Sequence, residues 1–99
     1  MKNYEAIFIL KPEEENITKG KSILQEEFES SGIKVIEQQD MGQKDLAYTI
    51  KKQDKGHYFC YKIQSEPDKL KIIDKNLRLT QEILKFVFFR DDKIRDDKK

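Results

Sequence analysis

The chain has 99 residues, enough for one small domain with a single core. Charged residues make up 39% of it, against about 25% in a typical domain, yet the net charge is only +1. No apolar run is long enough to cross a membrane, and no charged-then-apolar leader indicates secretion. The single cysteine, Cys60, excludes an internal disulfide and a cysteine metal cluster. We therefore expect a reducing, cytoplasmic setting.

The charges are unevenly distributed along the chain. Residues 11–40 carry four lysines and eight acidic residues, whereas residues 41–64 carry five lysines and two aspartates. This asymmetry predicts one acidic and one basic face. The total charge, by contrast, says little about a partner.

The first third of the chain predicts a strand followed by a helix. Residues 3–10 are rich in apolar and aromatic side chains, as is typical of a strand. Pro12 and the glutamates after it favour the start of a helix, because acidic side chains complement the exposed amides of a first turn. Gly32 supplies a left-handed stop. The apolar stripe of this helix is expected at Ile17, Leu24 and Phe28.

The middle of the chain predicts a hairpin and a second helix. Residues 33–52 form a second strand that is interrupted near residues 40–42, and residues 51–56 form a hairpin loop. A third strand follows over residues 57–64. Pro67 then opens a helix at its first turn. The stripe of this second helix is expected at Leu70, Ile73 and Leu77.

Residues 83–90 predict the last strand, which gives the order β-α-β-β-α-β. The simplest closure is a four-stranded antiparallel sheet with the first and third strands central and both helices on one face. This is a ferredoxin-like α+β fold over residues 1–90, followed by a charged flexible tail over residues 91–99. We expect one core that contains Phe8, Leu24, Phe28, Val35, Leu46, Tyr61, Ile63, Leu77 and Phe88.

Strand alternation also predicts apolar side chains on the face that the helices leave open. Scattered surface hydrophobes are ordinary, but these residues fall on the adjacent strands four, one and three. A contiguous apolar patch usually marks a partner, so we expect this surface to bind another protein. Its residues are Ile7, Ile9, Tyr58, Cys60, Val87 and Phe89.

Signals for catalysis are weak. The lone His57 is typical of a solvated strand end, and the chain has neither a glycine-rich phosphate loop nor a histidine pair. We therefore expect no enzyme, no cofactor and no metal site. Residues 55–62 resemble the third-strand motif of RNA-recognition motif domains. Facing Phe59 outward would, however, drive Lys62 into the core, which is costly.

Residues 42–51, Gly-Gln-Lys-Asp-Leu-Ala-Tyr-Thr-Ile-Lys, resemble the signature of the bacterial small-subunit ribosomal protein six family. The resemblance covers residues 1–90. It implies a ferredoxin-like protein without catalytic activity. Members of that family bind the central domain of small-subunit ribosomal RNA together with ribosomal protein eighteen, as a heterodimer, during assembly. Other similar features are Tyr4-Glu5, Gly32, the Gly56 hairpin, Pro67 and the Leu77-Arg78 helix end.

The signature stretch has two expected tasks. Leu46, Tyr48 and Ile50 alternate and are expected to build the core, although Tyr48 presenting its hydroxyl at the sheet edge stays open. Basic residues at strand ends and in the hairpin are candidates for phosphate contact. A second class of function also stays open, a regulatory module whose open face self-associates or holds a small ligand. The candidate RNA-binding residues are Lys2, Lys44, Lys51, Lys52 and Arg90.

Overall fold

The computed structural model describes residues 2–90, so the predicted tail over residues 91–99 lies outside the described residues. The strands form one antiparallel sheet in the order β2-β3-β1-β4, which confirms the ferredoxin-like fold with the first and third strands central. The elements are β1 (Lys2–Leu10), α1 (Glu14–Ser30), β2 (Lys34–Ile50), β3 (Gln53–Ser65), α2 (Pro67–Leu77) and β4 (Ile83–Arg90).

Helix α1 ends where its glycine was predicted to stop it. Gly32 has a φ of 72°, a left-handed conformation that glycine adopts without steric cost. Its N–H donates to the Glu29 carbonyl at 3.2 Å, and the N–H of Ile33 donates to the Phe28 carbonyl at 2.9 Å. These two bonds form a Schellman motif, which satisfies carbonyls that the helix leaves open. The buried Ile33 then leads directly into β2.

The core lies between the helices and one face of the sheet. The ring of Phe8 is at its centre, with its centroid 5.4–6.1 Å from four other aromatic rings, mostly edge to face. Helix α2 begins at Pro67, as predicted, and buries its expected stripe. Seven predicted core residues are confirmed, with Phe88 only partly buried: Phe8, Leu24, Phe28, Tyr61, Ile63, Leu77 and Phe88.

Two predicted core residues were wrong, Val35 and Leu46. Val35 is 40% exposed because it lies on β2, the edge strand, where it lines an open hollow beside α1 rather than a closed core. Leu46 is half-buried and does not belong to the core cluster. Leu46 lies where the pairing of β2 with β3 is irregular, so its side chain does not follow the alternation between the two faces of a regular strand.

Strand β2 is irregular in two places. The predicted interruption is confirmed at residues 40–42, where the register shifts and Gly42 has a φ of 83°. Further along, Asp45 pairs with Lys55 and Ile50 pairs with Gln53, so residues 46–49 of β2 lie opposite a single residue of β3. Such a bulge bends the strand and redirects its side chains. It explains why the period-two reading of Leu46, Tyr48 and Ile50 was wrong.

The hairpin is tighter than the predicted loop over residues 51–56. Only Lys51 and Lys52 form the turn, and Gln53 already belongs to β3. Both lysines have positive φ, 48° and 66°, as a two-residue type I′ hairpin turn requires. The Lys51 Nζ donates to the Ile83 carbonyl at 3.0 Å. Because β1 lies between β3 and β4, this bond brings the hairpin tip across the end of β1.

Candidate protein and nucleic-acid interface

The open face of the sheet carries an apolar row across three strands. Residues paired directly across antiparallel strands share a face. Ile7 pairs with Cys60 on one side and with Val87 on the other, so these three side chains lie next to each other. Ile7 and Cys60 are half-buried and Val87 is 39% exposed. We call these three residues and the neighbouring Phe89, which is 49% exposed, the apolar patch.

Charged side chains border the apolar patch at one end. Glu5 lies in the next row, paired with Lys62 on β3 and with Phe89 on β4. The Lys62 Nζ is 3.9 Å from a carboxylate oxygen of Glu37 on β2. Lys62 therefore faces the open side and Phe59 is buried towards the helices, as strand parity predicted. An apolar centre with a polar rim is the usual anatomy of a protein interface.

Ile9 and Tyr58 were predicted to belong to the same protein-partner surface, and they pair with each other on the open face of the sheet. Ile9 belongs to the open face, but it is only 8% exposed. It lines a hollow with Leu46 and Ile50 from the bent end of β2, whereas Tyr58 is half-buried. Gly56 permits this close approach, since a Cβ there would collide with the Ile9 side chain. The bent hairpin thus covers one end of the open face.

The candidate RNA-binding residues divide into two groups. Lys44, Lys51 and Lys52 lie at the hairpin end, and all three are exposed. Lys2, paired with Ser65, and Arg90, paired with Tyr4, lie at the opposite end of the sheet. Strand β1 separates the two ends by roughly 26 Å, at about 3.3 Å for each residue step. The structure therefore brings three of the five predicted residues together and leaves two apart.

Comparison with known proteins assigns the family. The model of the family described as ribosomal protein S6 matches residues 3–90. The small ribosomal subunit protein bS6 of Onion yellows phytoplasma is 32% identical over 92% of this chain and 98% of its own length. That of Treponema denticola is 32% identical over 91% and 97%. This chain belongs to the ribosomal protein S6 family.

A solved S6 structure has the same fold. The 30S ribosomal protein S6 of Thermotoga maritima superimposes with a TM-score of 0.86 at 25% identity, covering 98% of this chain and 94% of that one. Membership of the S6 family gives this chain a structural role in the small ribosomal subunit, in the cytoplasm, and not a catalytic one.

Cys60, Asp40 and His57 carry the potentially reactive groups of this S6 family member, and their contacts are structural. Burial, with a smaller contribution from the Glu5 charge, raises the pKa of the Cys60 thiol. Cys60 therefore stays protonated near neutral pH and packs as a small apolar group. The Asp40 carboxylate accepts hydrogen bonds from His57 Nε2 at 2.6 Å and from the Gly42 N–H at 2.9 Å, which lower the pKa of Asp40. The two hydrogen bonds to Asp40 anchor the bulge at residues 40–42.

The described part of the chain also lacks two kinds of feature. Between residues 2 and 90, no helix has the length and apolar character needed to cross a membrane. Over the same stretch, nowhere do three His, Cys, Asp or Glu side chains gather in a way that would hold a metal ion.

Sequence reasoning missed Lys85 and left the position of Tyr48 open. Tyr48 is 60% exposed, so of the two positions left open for it, the exposed one is correct. The Lys85 Nζ lies 3.3 Å from the Tyr48 hydroxyl and 5.8 Å from the centre of its ring. Lys85 pairs with Ile9 and so shares the open face. It is the single charge inside the apolar run of residues 83–89, which is a signal that could have identified it.

Proposed function

We propose that this S6 family protein binds the central domain of small-subunit ribosomal RNA as a heterodimer with ribosomal protein eighteen, during assembly of the subunit. The apolar patch is the observation that carries the proposal. It lies on the sheet face opposite the helices, and it is contiguous across three strands. In a chain with 39% charged residues, a contiguous apolar surface of this kind marks a site of interaction.

The partner protein covers the apolar patch in this proposal. Ile7, Cys60, Val87 and Phe89 are accessible to it directly. The predicted members Ile9 and Tyr58 lie next to them, in the row that the hairpin partly covers, and they complete the contact at its edge. Because the centre is apolar and the border is charged, the partner needs an apolar side-chain cluster with a polar surround.

Phosphate contact is assigned first to the hairpin group, Lys44, Lys51 and Lys52. The conformation of the turn supports this assignment. A left-handed conformation costs a non-glycine residue about 1–2 kcal/mol, and both turn positions hold lysine. Strain of this kind collects at functional positions. Lys2 and Arg90 form a second, separate contact at the other end of the sheet.

The protein contact is tested by calorimetry with ribosomal protein eighteen. Val87→Asp places a charge in the apolar patch and should weaken binding by at least about 30-fold, as expected of an interface hot spot. The matched control is Ile72→Asp, which changes an exposed residue of α2 and should leave the affinity unchanged. Equal affinity of both variants would contradict the proposal. A homodimer that Val87→Asp dissociates would instead support the self-associating module.

The RNA contact is tested by a salt titration of affinity for a central-domain RNA fragment, with the partner protein present. Lysine supplies a flexible point charge suited to the backbone rather than to base edges. Lys51→Ala with Lys52→Ala should weaken binding and lower the magnitude of the salt slope by roughly 0.7–0.9 for each lost contact. The control is Lys71→Ala with Lys75→Ala, two exposed positions on α2. If the plots of RNA affinity against salt concentration superimpose for the hairpin variant and the wild type, the phosphate contact is assigned to Lys2 and Lys44 instead.

A further inference from the structure

Tyr48 presents an aromatic ring among lysines at the hairpin end of the open face. We propose that this ring stacks on an unpaired base of the bound RNA, while the neighbouring lysines contact the phosphates on either side. The inference rests on the proposed RNA binding and assigns a residue to it. Base stacking on exposed aromatic side chains is a common way to bind unpaired nucleotides.

The position of the Tyr48 ring is held from several sides. The bulge at residues 46–49 releases this part of β2 from regular pairing with β3. The Tyr48 hydroxyl accepts a hydrogen bond from Lys85 Nζ, and the side chain lines one hollow with Ile9 and Tyr58. The ring nevertheless remains 60% exposed. A held but exposed ring loses little conformational freedom when a base stacks on it.

The charge around the ring suits a phosphate backbone. Five exposed lysines lie at this end of the sheet: Lys44, Lys51, Lys52, Lys55 and Lys85. The acidic residues of the same hairpin are Asp45 and Asp54. Asp45 is paired with Lys55 at 2.7 Å, which offsets its charge. The local balance therefore remains positive, although the net charge of the whole chain is only +1.

The same lysines argue against a protein partner at Tyr48. Charged residues, and lysine in particular, are depleted from the cores of protein interfaces. Lys85 Nζ lies 5.8 Å from the ring centre, so a protein that covered Tyr48 would have to desolvate this ammonium group. A nucleotide instead offers a base to the ring and a phosphate to the lysine. The apolar patch, by contrast, contains no lysine.

The test measures binding of the full chain, with the partner protein, to a central-domain RNA fragment. Tyr48→Leu should weaken binding by about 5- to 150-fold, the usual contribution of one stacked base. Tyr48→Phe keeps the ring and loses only an exposed hydrogen bond, so it should bind almost as well as the wild type. Both variants should melt like the wild type, since the side chain is mostly exposed.

Two further measurements separate stacking from charge. The salt slope of Tyr48→Leu should be parallel to that of the wild type because no charge is removed, whereas Lys85→Gln should lower its magnitude by roughly 0.7–0.9. Unpaired nucleotides of the fragment are then replaced one at a time by abasic residues. At the stacked nucleotide, loss of the base should weaken the wild type strongly and Tyr48→Leu little further, which is the signature of a direct contact.

Each contrary result has a distinct meaning. If Tyr48→Leu binds the RNA as tightly as the wild type does, the stacking inference is overturned and the proposed function stands. If Tyr48→Leu weakens binding to the partner protein in the absence of RNA, Tyr48 belongs to the protein interface and the inference is again overturned. If the wild-type protein with its partner does not bind the fragment, the proposed function and the inference both fail.

Discussion

The end of β4 presents similar apolar side chains to the two faces of the sheet, but in different surroundings. On β4, Phe86 and Phe88 pack against the core, while Val87 and Phe89 between and after them remain exposed. The helices α1 and α2 cover only the first pair. The difference teaches that, among the apolar residues 86–89 of β4, burial is decided by which face the helices cover and not by the type of side chain. Apolar side chains on the covered face stabilise the domain, and those on the open face remain available to a partner.

The largest difference between the faces should appear in two phenylalanines. Phe28 on α1 is almost fully buried, and Phe89 is 49% exposed. Phe28→Ala should lower the free energy of unfolding by about 3–5 kcal/mol, because it removes a buried ring and leaves a cavity. Phe89→Ala should cost at most about 1 kcal/mol. Denaturant melts with equal m-values check this, and similar losses for the two variants would mean that the open face is as tightly packed as the core.

Ile9 sharpens the comparison because it is buried on the open face. Ile9→Asp should destabilise the protein by about 2–4 kcal/mol, since it removes a buried apolar side chain and must desolvate a carboxyl group, even though Lys85 lines the same hollow. Val87→Asp, on the same face but 39% exposed, should cost about 1 kcal/mol or less. Thermal melts of the two variants distinguish them. Equal stability would show that the bent hairpin does not cover Ile9 in solution.

Burial of Tyr61 on the covered face should make the stability of the protein depend on pH in the alkaline range. Burial raises the pKa of Tyr61 to about 12, whereas an unfolded tyrosine titrates near 10. The folded protein therefore holds this proton more tightly, and the stabilisation is complete below about pH 10 and is lost as the pH rises towards 12. The loss should reach up to about 1.4 kcal/mol per pH unit. Tyr61→Phe should remove this component of the pH dependence, and identical pH profiles for the variant and the wild type would contradict it.

Local patterns predicted the covered face well and the hairpin end poorly. The stripes of α1 and α2, the Gly32 stop and the start at Pro67 depend on residues near one another in the chain. The hairpin end depends on a contact between Lys51 and the Ile83 carbonyl, 32 residues apart, which no local pattern reveals. That contact and the bulge at residues 46–49 move the signature side chains from the expected core to the open face.

The candidate site was predicted in the same uneven way. Strand parity placed the apolar patch correctly, since parity needs only the strand order and the alternation of side chains. The separation of Lys2 from the hairpin lysines was overlooked, because residue type alone grouped them, although antiparallel pairing of β1 with β3 places the start of β1 at the end of the sheet opposite the hairpin. Lys85 was missed for a related reason, since its contact with Tyr48 joins two strands that are not neighbours in the sheet.

The smallest predicted effect concerns the turn that joins β2 and β3. Asparagine and glycine adopt the left-handed conformation more readily than lysine does, and they are preferred in type I′ turns. Lys51→Asn with Lys52→Gly should therefore raise the free energy of unfolding by about 1 kcal/mol, even though it removes the Lys51 bond to Ile83. The same variant should bind the RNA fragment more weakly, because it lacks two positive charges. A stabilised variant with impaired RNA binding would show that the lysines remain in an unfavourable turn because they bind RNA. Unchanged RNA affinity would mean that they serve only the solubility of the hairpin.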